Sequence, residues 1–209
     1  EEGVTDSEVF WSRGLLAYWN GDLDCAADEI ANALELAEEN EDRWRQCKCL
    51  TWATMIALEQ NHSETAISHA TCLGELAAQI GEGAMAPLAR TFIAMAQRDD
   101  DELNDALKAL EIADDKAHLA YVLNLAADHY RTTGDTGRAL TFARKAFGTA
   151  SEIGNANEKV FARSLAMMLG EDMGAPITET EIDEWSKSYK LNARVRQLAR
   201  SAHQERKTL

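Results

Sequence analysis

The chain has 209 residues, 45% of them hydrophobic and 27% charged, with a formal net charge of −15. That length suits one ordinary domain or one repeat array with a real core, and the composition is that of a globular rather than a disordered protein. No apolar run nears the ~20 residues that a spanning helix needs, and the opening "EEGVTDSEVF" is acidic where a secretory leader would be basic and then apolar.

Pro87 and Pro176 are the only prolines, while Ala, Leu and Glu dominate, so the chain reads as all-α. In chain order, helices are expected over 6–20 and 23–39, parted by Gly21-Asp22, and over 42–60 and 63–80, parted at Asn61. Next come 84–98 and 101–114 around the acid run Asp99-Asp100-Asp101, then 116–133 and 136–153 around Gly134-Asp135. A helix over 156–172 follows. Pro176 then stops the pattern, and Thr178 or Thr180 can cap a last helix over 179–203. In that helix Trp185, Tyr189, Val195, Leu198, Ala199 and Ala202 recur at helical spacing, which makes it amphipathic and suited to cap an array.

Charge is uneven. Residues 1–115 hold 25 acids against 7 bases, and residues 116–209 hold 11 against 14. An acidic body repels phosphate backbones, so nucleic acid is not expected as its partner and stays open only for the basic C-terminal helix.

Two stretches repeat one another: "YWNGDLDCAADEIANAL" from Tyr18 and "YRTTGDTGRALTFARKAF" from Tyr130. Aligned on their glycines, Gly14 matches Ala127, Ala26 matches Ala139, Ile30 matches Ala143 and Ala33 matches Ala146. Small residues at facing positions let two antiparallel helices approach closely. The glycine ends one helix in a left-handed turn and the aspartate caps the next. Asn61 and Ala66 mark a third copy, a fourth around the acid run has an ambiguous register, and "VFARSLAMMLGEDMG" reads as a half-repeat. One helix pair cannot bury its own apolar face, so pairs must stack.

These residues resemble the tetratricopeptide repeat. The resemblance implies helix pairs stacked as a right-handed superhelix, with residues 1–173 as the array and 174–209 as a linker plus capping helix. The steps near 40 residues and the Ala-rich helices are similar to the helical arms of bacterial signalling and transcription regulators. The chain begins at Glu1 rather than Met, which reads as a fragment or a processed form.

In that family the first helix of each pair lines a concave groove. Carried over, the lining positions are Trp11, Leu15, Tyr18 and Trp19 in the first copy. They are Lys48, Thr51, Trp52, Met55 and Leu58 in the next, and Tyr121, Asn124, Asp128 and Arg131 in the best copy. The N-terminal half is then aromatic, as binding hot spots are. Against this stands ordinary packing of the same rings on one another, on a neighbouring domain or on a second protomer. The family's clamp for chaperone tails needs Lys and Asn where this chain has Trp11 and Leu15, so that ligand is not expected.

Nothing points to catalysis. The chain has no phosphate loop or dinucleotide fingerprint, its five histidines are scattered, and Asp128 and His129 point about 100° apart on a helix. Cys47 and Cys49 are two apart and diverge, so they make no metal site; all four cysteines read as buried or half-buried thiols of a reducing, cytoplasmic compartment. No enzyme, cofactor or metal is therefore expected. The leading reading is a scaffold that binds a peptide or partner helix, with a neighbouring domain or a homodimer as other occupants of the groove. A ligand- or peptide-sensing domain is the second reading, and nucleic-acid binding through the C-terminal helix ranks last.

Overall fold

The computed structural model describes residues 6–188 and 191–208; Tyr189, expected in the last helix, lies outside them. Eleven α-helices and no strand occur among the described residues. They are α1 (Ser7–Asn20), α2 (Leu23–Glu39), α3 (Arg43–Glu59), α4 (Ser63–Ile80), α5 (Met85–Gln97) and α6 (Asp100–Ile112), followed by α7 (Lys116–Thr132), α8 (Thr136–Glu152), α9 (Ala156–Met168), α10 (Glu179–Lys187) and α11 (Ala193–Thr208).

One device makes almost every turn. A residue in the left-handed region closes the helix: Gly21 (φ 86°), Glu41 (56°), Asn61 (60°), Gly81 (73°), Arg98 (58°), Gly134 (86°) and Gly154 (70°). The amide of the next residue then reaches back to the carbonyl five positions earlier, as from Asp22 to Ala17 and from Asp135 to Tyr130, at 3.0 and 2.9 Å. This bond satisfies a carbonyl that the helix end would leave orphaned. The residue that donates it usually also caps the next helix. Asp22, Asp42, Asp99, Asp135 and Asn155 each accept from the amide three residues on, and Asp115 does the same for α7. The Arg98-Asp99 turn settles the ambiguous register of the fourth copy, because it stands where Gly21-Asp22 and Gly134-Asp135 stand in theirs.

The chain folds as two compact units, Glu1–Asp114 and Asp115–Leu209. In the first, α1 to α6 pack in sequence as antiparallel pairs. Its core at the N-terminal end holds Tyr18, Ala26, Ile30, Ala33, Cys49 and Ile56, with Phe10, Trp11, Leu23, Leu34 and Trp52 packed against them. Gly14 of α1 sits so close to α2 that a Cβ there would lie 2.8 Å from two carbons of Ile30. Two of the four thiols depart from expectation: Cys47 and Cys49 are buried, but Cys25 and Cys72 face solvent from α2 and α4.

In the second unit α7, α8 and α9 pack in order, and α11 then packs on α9. Tyr130, the tyrosine of the repeat, stacks on Phe142 with ring centres 5.4 Å apart and planes 7° apart. The single helix expected over 179–203 is two. A Thr178–Glu181 capping box starts α10, whose chain ends its helix at Ser188. Asn192 starts the next one, accepting from the Val195 amide at 2.9 Å while giving its own amide to Asn157 Oδ1 at 2.9 Å. Leu191, Val195, Ala199 and Ala202 are buried at the start and along one face of α11, which thereby covers α9 as a cap should.

Three glycines give substitutions of opposite sign, readable by urea unfolding. Gly14→Ala overpacks the α1–α2 contact and is expected to cost about 1–3 kcal/mol. Gly134→Ala meets no neighbour but forces a Cβ into the left-handed region, at about 1–2 kcal/mol. Gly148→Ala, mid-helix with open space around it, is expected to gain roughly 0.5–1 kcal/mol.

Candidate functional site

The predicted lining positions fall on α1, α3 and α7. In the first unit, the structure brings Tyr18 and Trp52 edge to face at 5.1 Å, and the Tyr18 hydroxyl donates to Glu59 Oε1 at 2.6 Å. A buried tyrosine needs such a partner for its hydroxyl. Glu59 follows Lys48, Trp52 and Met55 along the same stripe of α3, so helical spacing could have found it.

Trp11 sits at the other end of the face. The Arg45 guanidinium and the Lys48 ammonium lie 5.8 and 5.9 Å from its ring centre, and Lys48 is also 5.7 Å from the ring of Trp44. Arg45 pairs with Glu8, and Lys48 has no ion-pair partner among the described residues. Trp44 is 48% exposed. The Trp11 indole nitrogen is buried and has no acceptor among the described residues. Such an orphan donor costs about 1–3 kcal/mol unless something else accepts from it.

The aromatic face is less open than the sequence implies. Tyr18 and Met55 are buried, while Trp11, Leu15, Trp19, Lys48 and Trp52 are half-buried. Thr51 is buried as well and donates to the Cys47 carbonyl at 2.9 Å; Leu58 is half-buried. Part of the stripe is therefore core, formed by rings that cover one another. The Cys49 thiol beneath it is pushed up to about 11, chiefly by burial, and stays protonated at neutral pH.

The α7 positions do different work. Tyr121 and Asn124 are buried, the latter at 1% exposure. The Asn124 amide donates to the Glu158 carbonyl at 2.9 Å and to the Glu158 carboxylate at 2.8 Å. Asn157 donates to the other carboxylate oxygen at 3.1 Å and holds the Asn192 amide that opens α11. Asp128 accepts two bonds from Arg131, at 3.0 and 2.8 Å, and faces Arg194 of α11 at 3.5 Å. Arg194 in turn lies 4.9 Å from the centre of the Phe161 ring. This network ties α7, α9 and α11 together. Glu158, Asn157, Asn192 and Arg194 were not expected from the sequence, since a half-repeat and a single unbroken last helix gave them no place to meet.

No family model matches the chain, and no curated protein matches it. Among solved structures, the crystal structure of the apo form of RapI matches at 12% identity, covering 100% of this chain and 87% of that one, with a TM-score of 0.59. The likeness establishes an all-α helical-repeat fold. No helix among the described residues is long and apolar enough to cross a membrane, and none of their His, Cys, Asp and Glu side chains group to hold a metal ion.

Removing the amide that holds the buried carboxylate tests the network. Asn124→Ala is expected to lower the unfolding free energy by about 1–3 kcal/mol in a denaturant titration, because Glu158 keeps its burial and loses a donor. Hydrogen exchange at the Asn192 amide is expected to quicken in Asn157→Ala, which removes its acceptor.

Proposed function

We propose that the chain is a polypeptide-binding module of a regulatory protein, and that the α1–α3 face of its first unit is where the partner lies. The observation that carries the reading is the Trp11 indole N–H, buried at that face with no acceptor among the described residues. A peptide carbonyl would supply the acceptor. The neighbouring half-buried rings of Trp19 and Trp52, and the Trp44 ring, offer apolar area that costs little entropy to immobilise. Lys48, set between two indoles, adds a cation for an acidic residue of the partner.

A binding role rather than catalysis fits the chemistry of the same face. Its ionisable groups are engaged with aromatic rings or with one another, as in the Tyr18–Glu59 and Arg45–Glu8 contacts. The helical-repeat fold shared with RapI supports the scaffold part of the reading. The similarity of the repeats to regulator arms supports the setting.

The test pairs selection with subtle variants. Peptides selected from a displayed random library on the wild-type chain are titrated by calorimetry against Trp11→Phe, which keeps the ring and loses the donor. Affinity is expected to fall about 2- to 12-fold, the worth of one neutral hydrogen bond. Trp52→Ala should cost more. If the selected peptides bind both variants as they bind wild type, the face is not their site. Light scattering supplies the other arm: a wild-type dimer that Trp11→Ala with Trp19→Ala turns into a folded monomer makes this a self-association surface instead.

A further inference from the structure

The first unit carries a second concavity on another face of α3. It is a cleft of about 190 Å3 between α2 and α4, floored by Ala53, Ile56 and Ala57 of α3. Ala27, Ala31 and Leu34 form one wall and Thr65 and His69 the other, with Glu35, Glu38 and Gln60 also lining it. The residues that leave it open are specific to this pair. Counted from the cap of the second helix, Ala27 and Ala31 hold the fifth and ninth positions. The same positions in the other pairs carry Ile67 and Thr71, Asn104 and Lys108, and Leu140 and Arg144. Two alanines thus stand where the other copies place longer side chains.

Size and charge say what fits. The volume is below the ~300 Å3 at which pockets for whole small ligands begin, and somewhat above the ~150 Å3 that takes a benzene-sized body. One large apolar side chain is the right measure. Every acid in the lining is a glutamate and no Lys or Arg contributes to it. Neither Glu35 nor Glu38 has an ion-pair partner among the described residues, and Asp28 and Glu64 stand exposed on the same two helices. Burial holds the His69 imidazole below its usual range, so it adds no positive charge at neutral pH.

We infer that this cleft receives a single large apolar side chain of a partner polypeptide, flanked in that partner by Lys or Arg residues that pair with Glu35 and Glu38. The site is separate from the α1–α3 face and does not depend on what binds there. Its partner is cationic, whereas Lys48 on the other face calls for an acidic one.

The probe is a capped alanine-based helical peptide of roughly 20 residues, a length at which isolated helices hold. It carries one Leu with a Lys one turn to either side. Methyl resonances of Ala27, Ala31, Ile56 and Ala57 and the His69 ring are followed by NMR in the intact chain. The expected result is a saturable shift of these signals that weakens several-fold with added salt. It should be absent for peptides with Glu in place of Lys or Ala in place of Leu. Ala31→Phe, which fills the cleft from its exposed wall, should abolish the shift with helical circular dichroism retained. Glu35→Gln with Glu38→Gln keeps the packing and should weaken binding about tenfold, even if the filled variant fails to fold. The inference is overturned if no shift appears up to millimolar peptide or if the Glu peptide binds as well. A response that survives Ala31→Phe, or that disappears in Trp11→Ala, overturns it too.

Discussion

Reversing a helix within two or three residues is the constraint on which the rest of this molecule depends. Each reversal must turn the backbone sharply and still leave no orphaned carbonyl or amide in a crowded place. The left-handed residue followed by a capping side chain does both. The carbonyls that receive the return bond belong mostly to alanines (Ala17, Ala37, Ala57, Ala77, Ala94, Ala150 and Ala166), so no bulky side chain crowds the turn where the two helices diverge. With the turn fixed, the direction of the second helix is set, and which residues face each other follows from the helical period.

From that geometry come two kinds of surface in the first unit. Where a first helix meets the next first helix, as α1 meets α3, aromatic side chains span the gap, and Tyr18 with Trp52 closes part of it as core. Where second helices flank the same α3, alanines leave it bare. One helix therefore contributes to two faces, through residues centred about 140° apart around its axis: Lys48 and Trp52 on one, Ala53 and Ala57 on the other.

The sequence made the helix pairs legible because their punctuation is local. Gly21-Asp22 and Gly134-Asp135 announce a left-handed turn and a cap in two letters, and helix boundaries up to Met168 fall within four residues of expectation. Glu41-Asp42 and Arg98-Asp99 make the same turn but announce only the cap, since nothing in a Glu or an Arg says it will adopt positive φ. That conformation costs about 1–2 kcal/mol at each non-glycine residue. The break before α11 was invisible for a related reason. The stretch "SYKLN" holds no glycine or proline, and Asn192, which caps α11 through the Val195 amide, is itself held by Asn157, 35 residues earlier, which accepts its amide.

The candidate site was legible as a list of positions but not as a set of states. The resemblance to the repeat family places Trp11, Trp52 and Asn124 on lining faces, yet it carries no information on burial. The Trp11 N–H has no acceptor among the described residues, whereas the Asn124 side-chain nitrogen donates to Glu158 twice. What separates them is the surroundings: beside α7, the first turn of α9 delivers a carboxylate and Asn157, whereas beside α1, α3 delivers cations, which cannot accept a hydrogen bond, and rings, which accept only weakly. The position that the resemblance makes equivalent therefore acts as a structural tie in the second unit and holds a buried donor, unpartnered among the described residues, in the first.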